Sequence, residues 1–587
     1  MPTARDETPI RGIPGSRGIA IGTAVVLEQS PPAVEQYFLP NELVAGEIGR
    51  LNLSVYNAIE QIRHLRNRIS AAPTTDHIQM LDLHEQMLRD PQFVGEALEI
   101  IRAEHINAEW AVRKATVRIR DIFDNLESGY FRERKDDLDS VSERLLRHLA
   151  GQSSELGSNI PPNAIIIAQS LSPGDMAELH DKNIGGFATE YGSYTAHTTI
   201  IARSLEIPAV VGARSVCSMV QNGTAVIIDG NSGLVVLNPS AETVAQYQAA
   251  QDTFVTLCKK LRRNRKERAV TEDGHIIKLL GNLDFVDELA ALVDVGGQGV
   301  GLLRTEYLFV NRHSLPNEEE QYEHYRSIIS AVAPARTTIR TLDIGDDKLT
   351  SGSRFPPELR PFQALRAIRY CLKEKAIFRT QLRALLRASI HGRLRIMIPY
   401  VSSVDEIREV RLLLAEVKRE LTEDGLVYDP DVPLGVMIEI PAAVVLADLL
   451  AQEADFFSVG TNDLIQYSLA VARHEEETNH LYQPLHPAML RTLQHVAEAA
   501  KRGGIEVSIC GEMAGDPLYT MVLLALGYSE LSMAPQHIPL VKHIVRQTRL
   551  PECYDLLCSL MAMATVQEVN QFVAERMTTR FPELFLR

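Results

Sequence analysis

From Gly274 onward the chain repeats one unit: a short apolar run, a turn, then a longer stretch of helical periodicity. The apolar runs fall at 276–281, 299–303, 338–343, 394–399, 434–440, 456–460, 506–510 and 530–533. Runs of that length, separated by segments long enough for a crossover helix, specify parallel strands. Eight such units fit a (β/α)8 barrel. A barrel of this kind gathers side chains from many strands at the C-terminal strand ends, which is where its chemistry sits.

The polar residues of this half of the chain fall at those ends. GVGLLRTEYLF puts Arg304 just after a run, TIRTLDIGDDK puts Arg340 within one and Asp343 at its end, and RPFQALRAIR supplies Arg366. Guanidinium groups bind carboxylate and phosphate bidentately, so three aimed at one cavity suit a small, densely anionic ligand. Singly, each reads better as a structural ion pair or a solvated helix face. GVMIEIPAA leaves Glu439 at the end of an apolar run, and SVGTNDLIQY leaves Asn462 and Asp463 just past the next. A carboxylate at the end of a buried strand is costly unless it is paired or binds a metal. Two on adjacent strands beside phosphate fit Mg2+, which takes one or two carboxylates plus substrate oxygens. SICGEMAGD places Cys510 level with them, although a buried cysteine is ordinarily inert core.

The N-terminal half has a different pattern. Residues 12–30 alternate small and β-branched residues with turn glycines and read as strands. Residues 34–150 carry helical periodicity, at 44–69, 76–89 and 93–126, with a break at Asp90-Pro91. Short strands and helices return over 164–237. A helical segment inserted into one α/β domain explains this order. In 76–89, Ile78, Leu81 and Leu88 interleave with Glu85, a mixed face that suits docking or, more commonly, an ordinary bundle. Residues 240–268 form one polar helix ending in the basic run 259–268, a connector whose cations lie near its C-terminus.

Within the second strand-rich stretch, 185–212 reads GGFATEYGSYTAHTTIIARSLEIPAVVG. Turn-forming residues precede His197, and 198–205 reads as a short helix closed by Pro208. An imidazole at a helix N-terminus stays neutral and nucleophilic, and free N–H groups there favour a bound phosphoryl group. On the residues alone, a capping or core histidine is the commoner outcome.

The string Thr195-Ala196-His197-Thr198-Thr199-Ile200-Ile201-Ala202-Arg203 closely resembles the phosphohistidine motif of phosphoenolpyruvate-utilising enzymes. Within them the chain is similar over nearly its whole length to enzyme I of the phosphotransferase system. The resemblance implies an α/β multidomain protein. Its parts would be a swivelling phosphohistidine domain (1–33 plus 151–239), an inserted helical subdomain that docks the phosphocarrier HPr (34–150), a helical connector (240–270) and a phosphoenolpyruvate-binding, dimerising barrel (271–587). Carried over by position, His197 accepts the phosphoryl group and Cys510 protonates the enolate. Arg304, Arg340, Arg366, Asn462, Asp463 and Arg473 bind phosphoenolpyruvate, and Glu439 with Asp463 holds Mg2+. HPr or a paralogue is the acceptor, pyruvate the product and a homodimer the expected assembly. Ser193, Asp346, Arg360, Gln363, Ala364 and Ala472 depart from the family pattern. They leave a regulatory-branch paralogue as an alternative to the enzyme of sugar uptake.

Composition narrows the partners. A formal charge of −16 over 587 residues argues against nucleic acid or an anionic membrane. Six cysteines without a CxxC pair indicate neither a disulfide framework nor a zinc site. The start has no apolar leader pattern and no apolar run spans a bilayer, so a cytoplasmic location without membrane insertion is expected. A phosphoenolpyruvate synthase or pyruvate phosphate dikinase would need a nucleotide-binding domain, and no GxxxxGK[ST] occurs. A non-catalytic scaffold would need none of the polar residues at the strand ends.

Overall fold

The computed structural model describes residues 7–27, 36–69, 84–124, 130–151, 160–171, 175–176, 179, 182–192, 199, 202, 207–286, 288–309, 314–344, 365–471 and 481–585. The chain divides into two compact units, Met1–Cys258 with Glu583–Arg587, and Lys259–Pro582.

The first unit holds β1 (Thr8–Arg11), β2 (Ile13–Ser16), β3 (Ile19–Val26), β4 (Ile165–Ala168), β5 (Gly186–Thr189), β6 (Ala209–Val211), β7 (Ala225–Asp229) and β8 (Leu234–Leu237). They form one sheet in the order β1-β8-β7-β3-β4-β5-β6-β2. The run Ile165–Ala168 is buried at every residue, as a parallel strand covered on both faces should be. β3 and β4 pair in parallel, Ala24 opposite Ile165, although the whole helical stretch separates them in sequence. That stretch is therefore an insertion into a continuous sheet.

The insertion builds its own core from Leu51, Ile62, Phe93, Ile101, Val112 and Leu145. The periodic run 93–126 is two helices, Glu96–Glu104 and Ala108–Asp124. Asn107 exchanges hydrogen bonds with the Tyr37 backbone at 3.2 and 3.3 Å, and His105 takes a left-handed φ of 52°, so the backbone leaves the helix there. Of the run 76–89, residues 84–89 are described as helical. Ile78 and Leu81 lie outside the described residues. Leu88 is buried, and Glu85 is ion-paired at 2.9 Å to both Arg63 and Arg89.

The helix Ala241–Arg263 is shorter than its sequence pattern. Its first half packs Val244, Tyr247 and Ala250 on Ile19, Ile227 and Val236. It ends early, and carbonyls that follow are met instead by side chains of the helix Ile538–Arg546. Arg265 O accepts from Lys542 Nζ at 2.5 Å and Arg268 O from Arg546 at 2.8 Å.

The second unit is a closed parallel barrel of β9 (Lys278–Leu283), β10 (Gly299–Leu303), β11 (Arg336–Arg340), β12 (Arg393–Ile398), β13 (Leu434–Ile438), β14 (Phe456–Val459), β15 (Glu506–Ile509) and β16 (Glu530–Met533), with β16 pairing back onto β9. β11 lies earlier than the apolar run 338–343, so Asp343 stands three residues past the strand rather than at its end. The interior packs Leu302, Met397, Met437, Phe456 and Cys510 together. Gly435 is required by that packing, since a Cβ there would come within 2.3 Å of the Phe456 ring.

Charge closes the N-terminal end. Glu530, 3% exposed, pairs with Lys278 at 2.7 Å and with Arg336, and Arg336 reaches Glu506 at 2.9 Å. Arg395 lies over the Phe456 ring at 4.5 Å. Burial, then Arg336, lowers its pKa to about 10. Burial alone would raise the Glu530 carboxyl, but Arg336 and Lys278 hold it below the usual range. The paired Glu530 carboxylate therefore stabilises the barrel fully above about pH 4.3, and that contribution is lost as pH falls through the depressed value. Glu530→Gln should destabilise the barrel by about 3 kcal/mol, read from calorimetric unfolding at pH 7. An unchanged transition would show that the ring carries no stability.

Candidate active site

At the C-terminal end of the barrel, buried carboxylates hold arginines in place. Arg304, directly after β10, donates from one nitrogen to both oxygens of Asp284 at 3.0 Å, and Asp284 raises its pKa. Arg340, at the end of β11, is buried and pairs with Glu306 and, at 3.0 Å, with Asp343. Burial opposes its charge, but Glu306 and Asp343 more than offset that and keep the guanidinium protonated. Its Nε has no hydrogen-bond partner among the described residues. A buried, unpaired N–H of a cation is a donor awaiting an acceptor.

Asp343, 1% exposed, also binds Arg366, from Nε at 3.0 Å and from a terminal nitrogen at 3.3 Å. One carboxylate thus fixes two guanidinium groups. Arg366 goes on to the Tyr467 hydroxyl at 3.1 Å and Asp463 at 3.5 Å, and it lies 4.9 Å from the centroid of the Tyr400 ring.

Glu439 follows β13 and is 1% exposed. It accepts the Tyr400 N–H at 2.6 Å. Burial, followed by the nearby charges of Asp463 and Asp343, pushes its carboxyl well above the usual carboxylate range. Crowded carboxylates of this kind are relieved by a cation. Among the described residues no three His, Cys, Asp or Glu side chains form a ligand cluster. Two protein carboxylates with the remaining positions left to other oxygens is the set that suits Mg2+ rather than a metal needing a full protein cage.

Cys510 follows β15, with Sγ 3.6 Å from Val459 O. Burial, with Glu439 adding to it, pushes its thiol up to about 11, so it is a protonated acid at neutral pH. Asn282 braces this wall, donating to Cys510 O at 2.8 Å and accepting from Ser532 at 2.6 Å. Asn462 Oδ1 accepts from the Glu512 N–H at 3.0 Å.

Of the residues singled out from sequence, Arg304, Arg340, Arg366, Glu439, Asn462, Asp463 and Cys510 all stand at this end of the barrel. His197 and Arg473 lie outside the described residues, as do Ser193, Asp346, Arg360, Gln363, Ala364 and Ala472. Only Thr199 and Ala202 of the stretch 198–205 are described, both helical. Asp284, Glu306, Tyr400 and Tyr467 were not anticipated. Glu306 had a signal, two residues after Arg304, and Tyr400 another, directly after a strand and a proline.

Three family models match the chain: "PEP-utilising enzyme, N-terminal" over 11–134, "PEP-utilising enzyme, mobile domain" over 160–233 and "PEP-utilising enzyme, PEP-binding domain" over 258–550. The phosphoenolpyruvate-protein phosphotransferase of Priestia megaterium is 38% identical over 96% of this chain and 98% of its own length. That of Geobacillus stearothermophilus is 39% identical over 98% and 99%, and that of Bacillus subtilis (strain 168) 38% over 96% and 99%.

Because the Cys510 thiol is buried and protonated while Cys558 is exposed, iodoacetamide at pH 8 should label Cys558 and spare Cys510. Peptide mass spectrometry reads the result; rapid labelling of Cys510 would contradict a protonated, enclosed thiol.

Proposed function

The chain belongs to the family of phosphoenolpyruvate-protein phosphotransferases, and on that premise we propose that the barrel mouth binds phosphoenolpyruvate and that His197 takes its phosphoryl group. The observation that carries this reading is the array of buried Glu306, Arg340 and Asp343 with the partly buried Arg366, set against Glu439, Asp463 and Cys510.

Arg304, Arg340, Arg366 and Arg473 neutralise the phosphate and carboxylate of the substrate. Preorganisation by Asp284, Glu306 and Asp343 supports this, because guanidinium groups already fixed lose little freedom on binding. With its Oδ1 taken by Glu512, Asn462 donates through its amide nitrogen. Glu439 and Asp463 are the residues that would hold Mg2+, whose charge, when bound, offsets that of the phosphoryl oxygens.

A neutral His197 nitrogen attacks phosphorus in line, the bond from phosphorus to the enolate oxygen breaks, and the enolate departs with the electron pair. Cys510 then gives its Sγ proton to the terminal carbon of the enolate, producing pyruvate. A thiol held protonated by burial suits that donation.

The phosphohistidine next passes its group to a histidine of a small carrier, HPr or a paralogue, docked on the helical insertion 34–150. One imidazole serving two partners in turn requires its domain, 1–33 plus 151–239, to move about the connector 240–270. A cytoplasmic homodimer joined through the barrel is part of the same reading. That no described helix is long and apolar enough to cross a membrane is compatible with it.

His197→Ala should abolish transfer of labelled phosphorus from phosphoenolpyruvate to the protein while leaving thermal unfolding unchanged. Acid-labile label retained by the variant at the wild-type level would overturn the assignment.

A further inference from the structure

We propose that Tyr400 is a positioning residue for this reaction, its ring holding the Arg366 guanidinium and its backbone N–H aiming the Glu439 carboxylate. The inference rests on the reading of Arg366 as a substrate-binding residue. Tyr400 has a φ of 61°, a left-handed conformation that strains a bulky residue and persists only where its surroundings enforce it.

Those surroundings are visible on both sides. Pro399 precedes it at the end of β12. After it, Ser403 caps the helix Val404–Glu423 in a reciprocal capping box with Glu406, and the Ser402 N–H donates to the same carboxylate at 2.6 Å. The backbone between these anchors turns so that the Tyr400 N–H meets Glu439 Oε1 at 2.6 Å. The left-handed φ turns the ring and the chain that follows away from the peptide plane that carries this N–H, and without the N–H the buried Glu439 oxygen would lose this donor.

The ring does separate work. Arg366 and Arg369 lie 4.9 and 5.4 Å from its centroid, within cation–π range, and the Tyr467 ring stands edge-on at 5.9 Å. Arg369 is itself drawn toward Glu406 at 3.7 Å. Asp343 and the Tyr467 hydroxyl fix Arg366 in the plane of its guanidinium, and the Tyr400 ring restrains it from one face. A face contact takes none of the in-plane N–H donors that phosphate or carboxylate needs.

Three variants separate ring from backbone. Tyr400→Ala removes the ring and keeps the strain, Tyr400→Gly removes both, and Tyr400→Phe keeps the ring. KM for phosphoenolpyruvate should rise about tenfold in Tyr400→Ala and Tyr400→Gly, and Tyr400→Phe should recover most of the loss. Tyr400→Gly should also unfold at a higher temperature than Tyr400→Ala. A purely structural residue would instead lower the unfolding temperature and leave KM within twofold, and that result would overturn the proposal. Arg366→Ala is the control. If it too leaves KM unchanged, the substrate-site reading fails as well; if it raises KM while Tyr400→Ala does not, only the inference about Tyr400 fails.

Discussion

The barrel mouth depends on one buried carboxylate. Asp343 is almost wholly removed from water and shares its two oxygens between Arg340 and Arg366. Burying one charge is prohibitive and burying three is tolerable only when each meets its opposite. Asp343 between two guanidinium groups, with Glu306 on the far side of Arg340, meets that condition. The alternation also holds each guanidinium in place while the Arg340 Nε stays without a partner among the described residues. The arginines cannot relax away from an incoming anion without stranding the carboxylates that hold them.

The barrel separates this chemistry from the stability of the fold. At the N-terminal strand ends, Lys278, Arg336, Arg395, Glu506 and Glu530 pair among themselves and plug the base. At the other end the pairing is deliberately incomplete. Among the described residues the Arg340 Nε has no partner, and burial, with Asp463 and Asp343 adding to it, disfavours the ionisation of Glu439. Unmet demand for an anion and for a cation at one mouth is what a phosphorylated carboxylate with its metal would satisfy. The apolar layer of Leu302, Met397, Met437, Phe456 and Cys510 lies against this mouth and supplies the low-polarity setting that keeps the thiol protonated.

Most of the barrel was legible from sequence because parallel strands buried on both faces leave unbroken aliphatic runs. Each of the eight stands within three residues of its pattern. The arginines and carboxylates were legible because polar residues at the ends of such runs are conspicuous. Their partners were not. Asp284, Glu306, Tyr400 and Tyr467 are chosen by tertiary packing, and nothing in the spacing of RTEYLF or IPYVSS shows which guanidinium they meet. The break at His105 was hidden for a similar reason: Asn107 bonds to Tyr37, far away in sequence. The helical connector was overextended because its last carbonyls are claimed by Lys542 and Arg546 from the end of the barrel. His197, the residue on which the family resemblance turns, and Arg473 lie outside the described residues.

The central claim is that Asp343 sets the substrate arginines by sharing one carboxylate between them, and the most direct measurement is calorimetric binding of phosphoenolpyruvate, with Mg2+, to Asp343→Asn. Loss of a buried, hydrogen-bonded charge should weaken binding by about a hundredfold, with the barrel still cooperatively folded. Wild-type affinity in that variant would contradict the account.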